Sequence, residues 1–204
     1  MRAATLVETP RLWLRQVRAA DQPHFAAINA DPAVMEWFPR PLSTLESDQF
    51  VERILGHWRT EGFGLWALEV KRTGAFIGFT GLSRPAFQAH FTPAVEVGWR
   101  LARSAWGCGY ASEAGRASLA VGFGELGLEE IVSFTSRLNR RSEAVMRRLG
   151  MVHHPADDFQ HPNLPPDHLL SNHVLYRISR EHWLALEAGA GAREPGTDHT
   201  IPPD

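Results

Sequence analysis

Cysteine is almost absent from this chain of 204 residues, which contains only Cys108. A single thiol cannot form an internal disulfide, so a reducing compartment is compatible with the sequence and we expect a cytoplasmic protein. The first residues, MRAATLVETPRLWLR, lack the apolar core of about 7–15 residues that a signal peptide needs. No apolar run is long enough to span a bilayer, and no membrane association is expected.

Blocks of basic residues are also missing. The chain has 21 Lys and Arg against 23 Asp and Glu, a formal net charge of -2. Because nucleic-acid binding depends on clustered basic side chains, no nucleic-acid partner is expected. Apolar residues make up 44% of the chain, which is ordinary for a globular domain. We place a single domain at 1–188 and predict a flexible C-terminal tail at 189–204 from its composition.

Hydrophobic periodicity predicts a mixed sheet of the α/β (α+β) class. Helices are predicted at 19–30, between Ser43 and Gly62, and at 110–126, 140–149 and 181–188. Strands are predicted at 11–17, 65–70, 76–82, 95–101, 130–136, 151–154 and 173–178. Antiparallel strands come first and a βαβ unit lies in the middle, which excludes a doubly wound Rossmann sheet.

The stretch AWGCGYASEA places two glycines between a predicted strand and a predicted helix. Glycines allow close approach of a ligand, and free N–H groups at a helix start favour an anion, so a phosphate cradle is one interpretation. The lysine of a P-loop is missing. A dinucleotide site would need an acid at the far end of the next strand, whereas Glu129 and Glu130 precede it.

Two other interpretations of this stretch concern Cys108 and the turn itself. A helix N-terminus would lower the pKa of a cysteine, but the sequence places no histidine or acid to activate Cys108 as a nucleophile. A purely structural turn before a helix remains open on these residues alone.

Four segments resemble the GNAT superfamily of acyl-CoA-dependent N-acetyltransferases. They are ETPRLWLRQVRAAD, AVEVGWRL followed by AWGCGYASEA, LNRRSEAVMRRLGM, and NHVLYRISREHW, which together span Thr9 to about Trp183. The resemblance is strongest to the branch of ribosomal-protein N-terminal acetyltransferases, RimJ and RimL. It implies a GNAT fold: a mostly antiparallel sheet of about seven strands, splayed between the fourth and fifth strands, with helices on both faces.

The resemblance implies acetyl-CoA as co-substrate, with its pyrophosphate over the glycine loop and its pantetheine arm along the strand that precedes the loop. A backbone N–H near Arg100 or Leu101 would polarise the acetyl carbonyl. Asn139 is either a pantetheine contact or only the N-cap of its helix. The implied cofactor-binding residues are Trp99, Arg100, Leu101, Trp106, Gly107, Cys108, Gly109, Tyr110, Ala111, Ser112, Asn139 and Ser142.

The expected reaction is direct attack of an amine on the thioester, which needs a base to remove a proton. Glu96 is the candidate, since it shares a strand face with Gly98 and Arg100. The alternative for Glu96 is an ion pair with Arg100. Ser142 is the candidate acid; Met146 stands where many relatives carry a tyrosine, which leaves the acid open.

The acceptor carries no sequence motif, so a protein N-terminus and a small-molecule amine are both open, as is a homodimer. Trp37 and Phe38 are predicted to border the acceptor pocket, and His153 and His173 are further candidates. The histidine spacing fits no compact ligand set, so no metal is expected. The alternative to an N-acetyltransferase is a catalytically weak acyl-CoA-binding sensor or interaction module.

Overall fold

The structure, a computed structural model, describes residues 2–191. Nine strands and five α-helices follow one another along this part of the chain. They are β1 Leu6–Glu8, β2 Leu12–Gln16, α1 Gln22–Ala30, α2 Thr44–Glu61, β3 Leu65–Val70, β4 Ala75–Ser83, β5 Glu96–Leu101, α3 Tyr110–Gly124, β6 Glu130–Ser136, α4 Arg140–Arg148, β7 Val152–His153, β8 Phe159–Gln160, β9 Asn172–Ser179 and α5 Arg180–Gly191.

The strands form one sheet in the order β1-β2-β3-β4-β5-β6-β9-β7, and β8 also pairs with β9. Every pairing is antiparallel except β5 with β6, which is parallel and limited to the register pair Glu96 and Val132. Beyond that pair the two strands separate. The predicted GNAT fold with its splayed sheet is therefore confirmed, and the sheet gains β1 and β8, which are too short to show periodicity.

The two faces of the sheet are covered by different helices. Leu82 pairs with Val97 on the face beneath α3, where Gly122 lets the helix approach closely: a Cβ there would lie 2.6 Å from Ile131 Cδ1 and 3.2 Å from Leu82 Cδ1. Phe79 pairs with Arg100 on the opposite face, beneath α1 and α2. Alternate residues of β5 therefore belong to different layers.

The ends of α2 follow the predicted pattern. The Ser43 hydroxyl accepts from the Glu46 N–H at 3.3 Å, and the Ser43 N–H donates to the Glu46 carboxylate at 2.8 Å, which completes the capping box. Gly62 ends the helix with a φ of 76°. Asp21 occupies the N-cap position of α1, but its side chain makes no capping bond; it accepts from the Arg18 N–H at 2.8 Å and pairs with Arg15 at 2.8 Å.

The last helix is longer than predicted. It runs to Gly191, so the first three residues of the segment 189–204 are helical, and residues 192–204 of the predicted tail lie outside the described residues. None of the helices within 2–191 combines the length and the apolarity that crossing a membrane requires.

Candidate active site

A cavity of about 1080 Å³ opens where β5 and β6 separate. Its walls come from the α1–α2 connection, β5, the start of α3, β6, α4 and the loop before β9. Most residues predicted for the site line this cavity: Trp37, Phe38, Glu96, Trp99, Arg100, Leu101, Trp106, Gly107, Gly109, Tyr110, Ala111, Ser112, Asn139, Ser142 and His173. Cys108 and His153 are not among its lining residues.

The glycine loop ends on the cavity at the N-terminus of α3. Gly107 and Gly109 have φ angles of 73° and 79°, which other residues rarely adopt. A Cβ added at Gly107 would meet no atom within 4 Å, so the space in front of the loop is open. The first backbone N–H groups of α3 have no acceptor within the helix. Open space, free donors and the positive end of a helix fit the pyrophosphate of coenzyme A.

The loop is fixed to the neighbouring β1–β2 turn through Glu113, in the first turn of α3. Its carboxylate accepts from the Thr9 hydroxyl at 2.7 Å and from the backbone N–H of Arg11 at 2.8 Å, and it pairs with Arg11 Nε at 2.6 Å. Arg11 also donates to the carbonyl of Cys108 at 2.8 Å. The Cys108 side chain itself is exposed, so this residue contributes its backbone to the loop geometry.

The backbone N–H and C=O groups of successive β5 residues are directed alternately to β4 and to β6. On the β4 side, the Ala102 N–H donates to Ile77 O at 2.9 Å just past the end of the strand. On the β6 side, Val95 O accepts from the Val132 N–H at 2.9 Å just before its start. Even-numbered residues of β5 therefore bond to β4, and odd-numbered residues face β6.

Because of this alternation, the N–H groups of Arg100 and Leu101, both candidates for binding the acetyl carbonyl, are directed to opposite sides of β5. The N–H groups of Trp99 and Leu101 face the gap beyond the end of the β5–β6 pairing, whereas the N–H of Arg100 is directed to β4 and is not available for that role. Trp106, whose indole N–H donates to Leu101 O at 2.9 Å, ties the glycine loop to the end of the strand.

Glu96 lies half-buried in the cavity wall at the point where the two strands part. Burial raises the pKa of its carboxyl to about 8, and no charged neighbour or hydrogen bond within residues 2–191 offsets that burial. The alternative of an ion pair with Arg100 is therefore not realised. A carboxyl with this pKa is a stronger base than an exposed glutamate.

Arg100 is held by a buried polar chain that the sequence pattern did not reveal. Its Nη1 donates to Asn29 Oδ1 at 2.6 Å, and Asn29 Nδ2 donates to Ser47 Oγ at 2.9 Å. Asn29 and Ser47 are both fully buried. The guanidinium lies 4.1 Å from the centre of the Phe38 ring. Asn29 is 71 residues from Arg100, and no local spacing signals such a contact.

Asn139 and Ser142 begin α4 on the far wall. Asn139 Oδ1 accepts from the Ser142 N–H at 3.1 Å, so the N-cap role is realised, while its Nδ2 lies 3.1 Å from both Ser142 Oγ and Thr135 Oγ1. Met146 is buried and also lines the cavity. Arg141 covers the Trp106 ring at 4.6 Å and joins α4 to the glycine loop.

The two candidate histidines lie in different places. His173 lines the cavity, and its Nδ1 donates to Ser171 O at 3.1 Å, which leaves Nε2 as the acceptor of the neutral ring. Burial lowers the pKa of His173 to about 4. His153 pairs with Asp158 at 2.7 Å and stacks on Tyr176, because β7 lies on the other side of β9 from β6.

His161 was not predicted, although it belongs to the same histidine-rich segment. Its ring centre lies 5.0 Å from that of His173, and burial lowers its pKa as well. Phe134 lies beside both rings. Among residues 2–191, no group of three or more His, Cys, Asp and Glu side chains is arranged to hold a metal ion.

Comparisons with known proteins agree with this geometry. The acetyltransferase (GNAT) domain family matches residues 11–152. The chain is 31% identical over 195 residues to FsC-acetyl coenzyme A-N(2)-transacetylase of Aspergillus fumigatus, covering 92% of this chain and 81% of that protein.

Solved structures share the fold. An acetyltransferase from Agrobacterium tumefaciens has a TM-score of 0.69 and 28% identity, covering 87% of this chain and 96% of that one. Ribosomal-protein-S5-alanine acetyltransferase from Vibrio fischeri has a TM-score of 0.70 over 88% of this chain and 99% of that one, at 17% identity. The chain therefore belongs to the acetyltransferase (GNAT) family and is an N-acyltransferase.

Proposed function

We propose that this protein transfers the acetyl group of acetyl-CoA to a primary amine by direct attack within a ternary complex. One observation carries the proposal: a half-buried carboxyl with no partner within residues 2–191, two backbone N–H groups that face the β5–β6 gap, and a glycine loop at a helix N-terminus all open onto the same cavity. The name of the Aspergillus fumigatus relative, an N(2)-transacetylase, supports a nitrogen acceptor. Placement in the RimJ and RimL branch rests on the sequence resemblance.

The residues that would hold the co-substrate follow the length of the cavity. The loop from Gly107 to Ser112 would take the pyrophosphate, and the gap beside Trp99 and Leu101 would take the amide-bearing arm. Asn139 and Ser142 are available on the opposite wall. When bound, acetyl-CoA supplies a thioester: a C–N bond to the amine forms, the C–S bond breaks, the amine nitrogen loses a proton and the departing thiolate takes one up.

Glu96 would accept the proton from the amine. Its raised pKa makes it a base matched to an amine near neutral pH, and its place where β5 and β6 part puts it beside the start of the gap. The N–H groups of Trp99 and Leu101 would stabilise negative charge on the carbonyl oxygen. Ser142, whose hydroxyl lies beside Asn139 Nδ2, would donate a proton to the departing thiolate and take one back from solvent, to which Glu96 releases the proton of the amine.

The test is a thiol-release assay with acetyl-CoA over a panel of amines and peptides, combined with calorimetric titration of coenzyme A. We expect coenzyme A to bind and at least one amine to be acetylated with release of one thiol per product. Tight binding of coenzyme A with no turnover on any acceptor would contradict the proposal and favour an acyl-CoA sensor.

A further inference from the structure

We infer that the acceptor is an amine that also carries a carboxylate, and that the guanidinium of Arg100 binds this carboxylate. This inference rests on the proposed function, because it concerns the acceptor side of the same cavity. It starts from two ionisable groups on one strand face, the Glu96 carboxyl and the Arg100 guanidinium, neither of which has an ionic partner in the described part of the chain.

The guanidinium of Arg100 is oriented but not neutralised. Its only hydrogen-bond acceptor within residues 2–191 is the neutral amide oxygen of Asn29, and its other close neighbours are the rings of Phe38, Phe50 and Phe79. The Nε atom is buried and has no hydrogen-bond partner. Burial lowers the pKa of Arg100 to about 10, so the group still carries its charge at neutral pH. A buried charge without a counter-ion is costly, and a bound anion would relieve that cost.

The cavity face of β5 leaves open space between the Glu96 carboxyl and the Arg100 guanidinium. Gly98 separates Glu96 from Arg100 on the cavity face of β5. A Cβ at Gly98 would approach only the Glu96 carboxyl, with Oε1 at 3.5 Å, so the strand between the two charged groups is open. A ligand lying over Gly98 would therefore meet a carboxyl group at one end and a guanidinium at the other.

The charges of the cavity disfavour a polycationic acceptor. Glu96 is the only carboxyl group among the described residues that line it, and Arg100 adds a positive charge on the same wall. A polyamine could place one of its ammonium groups beside Glu96, but another would then lie near the positively charged Arg100 guanidinium. An amine with a carboxylate places its amino group beside the Glu96 carboxyl and its carboxylate beside Arg100, and the guanidinium can bind that carboxylate through two N–H groups.

The experiment compares matched acceptors that differ only in the carboxylate. The pairs are L-phenylalanine with phenethylamine and L-leucine with isopentylamine, and L-phenylalaninamide serves as a neutral analogue. Each is titrated by calorimetry into the full-length protein saturated with coenzyme A, and each is assayed for acetylation. We expect the acid of each pair to bind about ten- to hundredfold more tightly than its amine, as a charge-assisted hydrogen bond implies.

Three variants test whether the preference for the acid depends on Arg100. Arg100→Gln keeps a donor for Asn29 but loses the charge, so it should bind the acid and the amine of each pair equally. Asn29→Asp supplies a carboxylate from within the protein and should also reduce the preference while keeping the fold. Arg53→Gln is the control, since Arg53 is exposed on α2 and touches the same Phe50 ring from outside the cavity.

The outcomes separate this inference from the proposed function. Acetylation of the amines and acids with equal efficiency overturns the inference and leaves acetyl transfer intact. Preferential binding of the acids without turnover supports the inference and contradicts acetyl transfer. A loss of coenzyme A affinity in Arg100→Gln, with the acid preference unchanged, would assign Arg100 to the co-substrate and overturn the inference.

Discussion

Arg100 Nη1 and Asn29 Oδ1 lie 2.6 Å apart and join β5 to α1 beside the cavity. Asn29 is fully buried and also donates to Ser47. Asn29→Ala would leave the guanidinium without its acceptor and Ser47 without its donor. We expect the free energy of unfolding, measured by urea denaturation, to fall by about 2 kcal/mol.

Gln49→Ala is the matched control for that change, because Gln49 is an exposed amide on α2. It should change the free energy of unfolding by less than about 0.5 kcal/mol. If both variants were equally stable, the buried chain would not contribute to holding Arg100.

Gly109→Glu tests the phosphate cradle. Gly109 has a φ of 79° and precedes the first turn of α3, and a Cβ there would lie 3.3 Å from Arg11 Nη2. A glutamate at this position would therefore strain the turn, add a negative charge to the loop and disturb the Arg11 bond to the Cys108 carbonyl. We expect coenzyme A affinity, measured by calorimetry, to fall at least about a hundredfold. Gly74→Glu is the control: its φ is 67°, and it lies in the β3–β4 turn. Unchanged affinity in a folded Gly109→Glu protein would refute the placement.

The rate of acetylation should depend on the protonation of Glu96. Since burial raises the pKa of this carboxyl to about 8, the base form is scarce at pH 6 and predominates at pH 9. We expect kcat/KM to rise with pH, to reach half of its limit near pH 8 and to level off above about pH 9. Glu96→Gln should lower kcat by about a hundredfold or more and leave coenzyme A affinity unchanged. A variant with the wild-type rate at every pH would exclude Glu96 as the base.

His173 should make the fold sensitive to acid. Burial lowers its pKa to about 4 from 6.5, so the unfolded chain takes up a proton at this site at higher pH than the folded chain does. The contribution of neutral His173 to stability is therefore present above pH 6.5 and is lost as the pH falls toward 4. We expect His173→Phe to reduce the loss of unfolding free energy between pH 7 and pH 4.5.

His24→Phe is the control for this prediction, since His24 is an exposed histidine stacked on Phe76. Identical acid sensitivity of His173→Phe and the wild type would show that protonation of His173 does not limit stability. The neighbouring His161 ring, whose pKa burial also lowers, would then be the next histidine to replace.

Local signals in the sequence determined the elements and the glycine loop. The capping box of Ser43 and Glu46 marks the start of α2, and alternation along 95–101 identifies β5 and the face that carries Glu96. These features depend on neighbours within a few residues, so a linear pattern is enough to find them. The short strands β1 and β8 were missed because they exist through pairing with longer strands.

Only the tertiary structure decided which distant groups meet. Strand order and register decide that Arg100 meets Asn29, that His173 lies inside the cavity and His153 outside it, and that the Leu101 N–H faces the β5–β6 gap. The sequence places Glu96 and Arg100 on one strand face, but it does not show whether they form an ion pair. In the structure the Arg100 guanidinium donates to Asn29 of α1 instead. Packing between elements far apart in the chain settles such questions, and a linear pattern contains no record of it.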